Sequence, residues 1–228
     1  ISRGLVGSEM CIRDSPSSIR SIAFSIAKKC KAESIDSLVI GRDGRLSGPE
    51  LIKILEAELN NNGISTENIG VVTSPLLYFA AKKSATLSGI MLTGSHNPKN
   101  YNGIKMVIND QPISGKEIYE GISSKLTSFN QNQAVRKNLN IVQTYVNEIV
   151  NSFSSIHKKI VIDCGNGAAG EIAPYLFKKI GCEVIELFCE IDGNFPNHHP
   201  DPGKKENLQD LIMTCLLYTS DAADERSC

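Results

Sequence analysis

The chain has 228 residues, 41% of them hydrophobic and 21% charged, an ordinary globular balance with enough length for one large or two modest domains. A formal net charge of -1 supplies no broad basic field, which argues against nucleic acid or an anionic membrane as partner. No apolar run approaches the ~18 residues that span a bilayer, and the start lacks the order of a signal peptide, so the expected compartment is the cytoplasm.

In chain order, Ile19, Ile22, Phe24, Ile26 and Ala27 have the spacing of a helix packed on a core over about 17–30. Leu38, Val39 and Ile40 form a short buried strand, followed by the turn-rich Gly41-Arg42-Asp43-Gly44-Arg45. Ser47 and Glu50 have the spacing of a capping box, opening a helix that places Leu51, Leu55 and Leu59 on one face and stops at Asn62-Gly63. A second strand is expected at 69–72. Thr73-Ser74-Pro75 then offers a hydroxyl cap and a first-turn proline for the next helix.

A third strand at 89–92 ends in the loop Thr93-Gly94-Ser95-His96-Asn97-Pro98, and a fourth follows at 104–108. Ser114 and Glu117 make a second capping box. The polar stretch 127–140 is expected to be a linker or domain boundary. Beyond it come a strand at 160–162, a glycine-rich turn at 165–170, a helix ending near Ile180 and a strand at 184–187, together a strand-helix-strand unit. Pro196, Pro200 and Pro202 forbid continuous helix or central strand in the segment that follows.

Seven cysteines, scattered and without a C-x-x-C pair, suggest reduced thiols rather than a disulfide framework or zinc site. His198-His199 near Cys189 fits no strong zinc pattern and is expected to be a structural loop. The opening GLVGSEMCIRDS and closing CLLYTSDAADERSC are similar to translated sequencing-adaptor DNA. Residues 1–15 and 214–228 are therefore expected to be foreign, with a first domain over 16–130 and part of a second over 131–213.

The loop at 93–98 gathers a hydroxyl, an imidazole and an amide at a strand end, where ligands of open α/β sheets usually sit. A serine there can carry a phosphoryl group if a base takes its proton and donors stabilise the charge. The same residues serve as often to satisfy turn backbone. Gly165, Gly167 and Gly170 spell G-x-G-x-x-G between strand and helix, with Glu186 ending the next strand, so a dinucleotide-binding oxidoreductase module is a competing reading.

The segment MLTGSHNPKNYNGIKM resembles the phosphoserine signature of the α-D-phosphohexomutase superfamily. Upstream VIGRDGRLSGPEL and downstream VIDCGNGAAGEIAPYLFKKIGCEVIELFCEIDGNFPNHHPDPGKKENLQDLI are similar to bacterial phosphomannomutase/phosphoglucomutase sequences. The resemblance implies an α/β fold, with a mixed-sheet first domain and an incomplete second α/β domain. Ser95 would carry the phosphoryl group, giving it to a hexose monophosphate of mannose or glucose and recovering it through a 1,6-bisphosphate. His96 and Lys105 would assist, and the Ser95 phosphate would ligate Mg2+ together with aspartates that this chain lacks. Asp43 and its neighbouring arginines Arg42 and Arg45 read as supporting architecture or a surface ion pair of little weight. Because other parts of a mutase site are also missing, a chain inactive alone, or a noncatalytic sugar-phosphate-binding fragment, is expected.

Overall fold

The computed structural model describes residues 10–13, 16–122 and 135–224. Parts of the expected foreign ends (1–9, 14–15 and 225–228) and of the expected linker (127–134) lie outside the described residues, as do 123–126. The chain divides into two compact units, Ile1–Tyr145 and Val146–Cys228.

The first unit is built on one mixed sheet. Its strands are β1 (Met10–Arg13), β2 (Ser37–Arg42), β3 (Ser65–Val71), β4 (Gly89–Leu92), β5 (Tyr101–Ile108), β6 (Gln111–Ile113) and β7 (Arg136–Asn138), in the order β1-β5-β4-β2-β3-β7, with β6 on β5. Pairing is parallel from β4 through β2 and β3 to β7, and antiparallel for β4 with β5 and β5 with β1. The change of direction has a simple cause. Helices α2 (Gly48–Asn61) and α3 (Ser74–Lys83) supply crossovers between the parallel strands, whereas the short loop 93–100 can only reverse the chain.

Each helix buries the stripe that its spacing predicts. On α1 (Pro16–Ala32) the stripe is Ile19, Ile22, Ala23, Ile26, Ala27 and Cys30, and on α2 it includes Leu51, Ile52, Leu55 and Leu59. Both stripes, with Ile118 of α4 (Gly115–Ile122), pack against Leu38, Ile40, Ile90, Leu92, Ile104 and Met106 of the sheet. Such a fully buried Ile or Leu contributes about 1.5–3 kcal/mol. The other face of β4 lies under α3, where a Cβ on Gly89 would meet Ala81 Cβ at 3.1 Å.

Four local expectations change. Ser47 is not a capping-box residue: its backbone is helical and makes no side-chain cap, and its hydroxyl instead accepts from Asn102 Nδ2 at 2.7 Å. Thr73 likewise makes no side-chain cap to α3, which starts with Pro75 in its first turn. Strand β3 begins four residues before the apolar run, because Thr66, Glu67 and Asn68 find ladder partners on both β2 and β7. The polar stretch read as linker contains β7, a three-residue edge strand, where polar side chains can face solvent. The Ser114–Glu117 box is formed, with reciprocal bonds of 3.0 and 3.3 Å to the two backbone N–H groups.

In the second unit β8 (Lys159–Asp163) and β9 (Glu183–Leu187) pair in parallel around α6 (Ala173–Ile180), which ends on Gly181 at φ +106°. A 3-10 turn (Lys205–Leu208) leads into α7 (Gln209–Asp224). Helix α5 (Val142–Asn151) runs across the division between units. Both β1 and α7 run through segments that the sequence set aside. No helix among the described residues is long and apolar enough to cross a membrane.

Candidate active-site loop

Strand β4 ends at Leu92, and the chain turns back to β5 where parallel pairing gives way to antiparallel. Thr93 N donates to Gly103 O at 2.9 Å, Asn97 N to Gly94 O at 2.8 Å and Tyr101 N to Pro98 O at 3.0 Å, so the reversal is tied at both shoulders. At its tip Ser95 sits in the left-handed region at φ +46°, with its N–H donating to Thr93 Oγ1 at 3.1 Å. A non-glycine residue there carries backbone strain, which persists only when its surroundings enforce it.

The enforcing group comes from the turn after β2. Because β2 lies parallel beside β4, with Arg42 opposite Leu92, that turn stands next to the loop. Arg45 is only 1% exposed. Its Nη1 donates to the carbonyls of Pro98 (2.6 Å) and Tyr101 (2.9 Å), and its Nη2 to those of Ser95 (3.1 Å) and Asn97 (2.9 Å). Its Nε donates to Asp43 Oδ2 at 3.2 Å, while the same carboxylate accepts from Gly94 N at 3.1 Å and Arg45 N at 3.1 Å. A Cβ on Gly94 would overlap the guanidinium and come within 2.6 Å of Tyr101 O, so only glycine fits. The pair lies within one turn with Arg45 buried, so it is not a surface ion pair; its further bonds tie that turn to the loop, as the supporting-architecture reading has it. Its sequence signal was faint: an arginine in a glycine-rich turn directly after a buried strand.

Of the residues singled out from the sequence, Ser95 is half-buried and His96 exposed, side by side on the loop. Lys105 lies on β5 opposite Met91, two rungs back from the loop, on the face away from the Ile104 and Met106 core. Among the described residues no group of three His, Cys, Asp or Glu side chains could hold a metal ion, and Asp43 is already engaged by Arg45 and Gly94. These residues do not by themselves make a magnesium shell.

The glycine-rich turn of the second unit is occupied by its own chain. A Cβ on Gly165 would meet His198 Cε1 at 3.1 Å, and one on Gly170 would overlap the Cys189 carbonyl. His198 Nε2 lies 3.0 Å from Asp163 Oδ2, and its Nδ1 lies 3.0 Å from His199 O. Burial lowers the affinity of His198 for its proton, but the His199 carbonyl and the Asp163 carboxylate outweigh it, so the imidazole pKa is raised above 6.5. Glu186, the candidate ribose-binding carboxylate, is paired with Lys178. These glycines are accounted for by close packing. The thiols of Cys164 and Cys189 are 3.5 Å apart, and burial pushes Cys164 up to about 12.

Fold and loop together define an α/β protein whose candidate site stands at the carboxyl ends of its parallel strands, with a serine at positive φ at the point of reversal. Residues 2–133 match phosphoglucomutase/phosphomannomutase, alpha/beta/alpha domain I, and residues 143–222 match alpha/beta/alpha domain II. The chain belongs to the phosphoglucomutase/phosphomannomutase family. It is 48% identical over 196 residues to a phosphomannomutase/phosphoglucomutase of Pseudomonas syringae pv. tomato, covering 84% of this chain and 42% of that one. It is 46% identical over 197 residues to a phosphoglucomutase of Neisseria gonorrhoeae, again covering 84% and 42%. The crystal structure of a Burkholderia thailandensis phosphoglucomutase/phosphomannomutase family protein superimposes with a TM-score of 0.85 at 38% identity, over 91% of this chain and 48% of that one. The chain thus spans well under half the length of the curated relatives named here.

Proposed function

We propose that this chain supplies the phosphoryl-carrying half of a hexose-phosphate mutase, with Ser95 as the carrier. The phosphoryl group on Ser95 Oγ passes to a free hydroxyl of a mannose or glucose monophosphate, giving the 1,6-bisphosphate and leaving the serine hydroxyl. The bisphosphate turns over in the site and returns its other phosphoryl group to Ser95. The observation that carries this reading is the strained turn, which presents a half-buried serine hydroxyl at the end of β4 beside His96.

His96 is the neighbouring donor to phosphate or sugar oxygens, and Lys105 the assisting acid/base or cation. Phosphoryl transfer is mostly positioning and charge stabilisation, so these residues alone should not turn over. Mg2+ would be held by the Ser95 phosphate with carboxylates that the described residues do not supply, and would there neutralise phosphate charge. The compartment is the cytoplasm, and the partners are mannose or glucose 1- and 6-phosphates rather than nucleic acid or membrane.

The test is a full-length chimaera in which the 196 aligned residues of the Pseudomonas syringae relative are replaced by those of this chain. The expected result is Mg2+-dependent interconversion of glucose 1-phosphate and glucose 6-phosphate that Ser95→Ala abolishes, with no turnover by the 228-residue chain alone. A folded chimaera that binds sugar phosphate without turnover would favour the noncatalytic fragment. Activity that survives Ser95→Ala would refute the carrier role.

A further inference from the structure

We propose that Arg45, which need touch neither sugar nor phosphate, is the positioning residue that sets the reactive geometry of the loop; the proposal rests on Ser95 being the carrier. Four carbonyls, those of Ser95, Asn97, Pro98 and Tyr101, converge on one guanidinium. Left to themselves, four such oxygens would repel one another, and the cation that gathers them here is a guanidinium whose donors form a planar fork.

The fork has a second consequence. In a trans peptide the C=O and the following N–H point in opposite directions, and the described residues contain no cis bond. Drawing the Ser95 carbonyl onto Arg45 therefore turns the His96 N–H away from it, and drawing in the Pro98 carbonyl does the same for the Lys99 N–H. Carbonyl dipoles gather on the buried side, so the positive ends of these peptides face the other way, an arrangement suited to an anion on Ser95. The same bonds hold Ser95 at φ +46°, a conformation a serine would otherwise leave. Asp43 completes the device by orienting Arg45 through Nε while fixing Gly94 N.

Lysine cannot replace this arginine, since its single ammonium reaches fewer oxygens and lacks the planar fork. The experiment compares Arg45→Lys and Gly94→Ala, the second keeping the guanidinium but crowding it. In the 228-residue chain, NMR shifts of residues 94–99 are expected to show Ser95 leaving the left-handed region in both variants while core shifts stay in place. In the chimaera, kcat is expected to fall about 100-fold with KM for glucose 1-phosphate little changed, the cost of a misplaced reacting group. In Arg45→Ala, millimolar guanidinium should recover part of that kcat, which a merely stabilising role would not allow.

Unchanged loop shifts, or kcat within about threefold of the parent in a folded Arg45→Lys chimaera, a difference below 1 kcal/mol, overturns the proposal. If Arg45→Lys does not fold, Gly94→Ala decides by the same two readouts. A parent chimaera without Ser95-dependent activity defeats the carrier reading instead, and with it the catalytic role of Arg45, while the shifts still show whether Arg45 shapes the loop.

Discussion

The strain at Ser95 can be measured directly by removing its side chain in two ways. Both Ser95→Ala and Ser95→Gly delete the hydroxyl and keep the carbonyl that Arg45 holds, so they differ only in backbone preference. At φ +46° alanine suffers the left-handed penalty of about 1–2 kcal/mol that glycine escapes, while glycine gives back about 0.5–1 kcal/mol in unfolded-state entropy. Ser95→Gly should therefore be the more stable by about 0.5–1 kcal/mol. For a unit of this size that is a shift of about 2–5 °C in Tm. Thermal and urea unfolding of the two variants, with equal m-values as the control, reads the difference. If Ser95→Ala proves as stable as Ser95→Gly, the turn is not strained and the case for an enforced geometry fails.

Other consequences follow from the same contacts. In a double-mutant cycle of Ser47→Ala and Asn102→Ala, urea unfolding should give a coupling of about 1 kcal/mol, since the two side chains bond each other, whereas a capping role for Ser47 would give additive effects. Because the raised His198 pKa favours the folded form when protonated, its contribution is complete below the ordinary imidazole value of 6.5 and fades as pH rises through the raised one. His198→Gln should accordingly cost about 1–3 kcal/mol at pH 5.5 and less at pH 9, measured by urea midpoints at both; an equal cost at the two pH values would contradict the pairing with Asp163. Gly170→Ala should destabilise by about 1–3 kcal/mol because its methyl has no space beside the Cys189 carbonyl, and a neutral effect would return those glycines to a ligand-binding role.

Much of the fold was legible because it rests on local pattern. Leu38 to Ile40 and Gly89 to Leu92 read as strands since both faces are buried, and α1 and α2 read from their stripes. The start of β3 and the whole of β7 were not legible, because polar residues enter a strand only when a neighbour offers a ladder, and that neighbour is far away in sequence. The site divided along the same line. Ser95 and His96 were visible as a motif, whereas Arg45 read only as supporting architecture, for the carbonyls it gathers lie fifty or more residues on and a charged, glycine-rich turn has the composition of a surface loop. Ser47 looked like a cap for the same reason: its true partner, Asn102, sits on another strand.

The most direct test of the central claim is to trap the phosphoryl group in place. The chimaera would be quenched during turnover with glucose 1,6-bisphosphate, and its phosphorylated peptide located by mass spectrometry. A single phosphoryl group on Ser95, chased off by glucose 1-phosphate, is the predicted result. Turnover with phosphate on another residue, or on none, would contradict it.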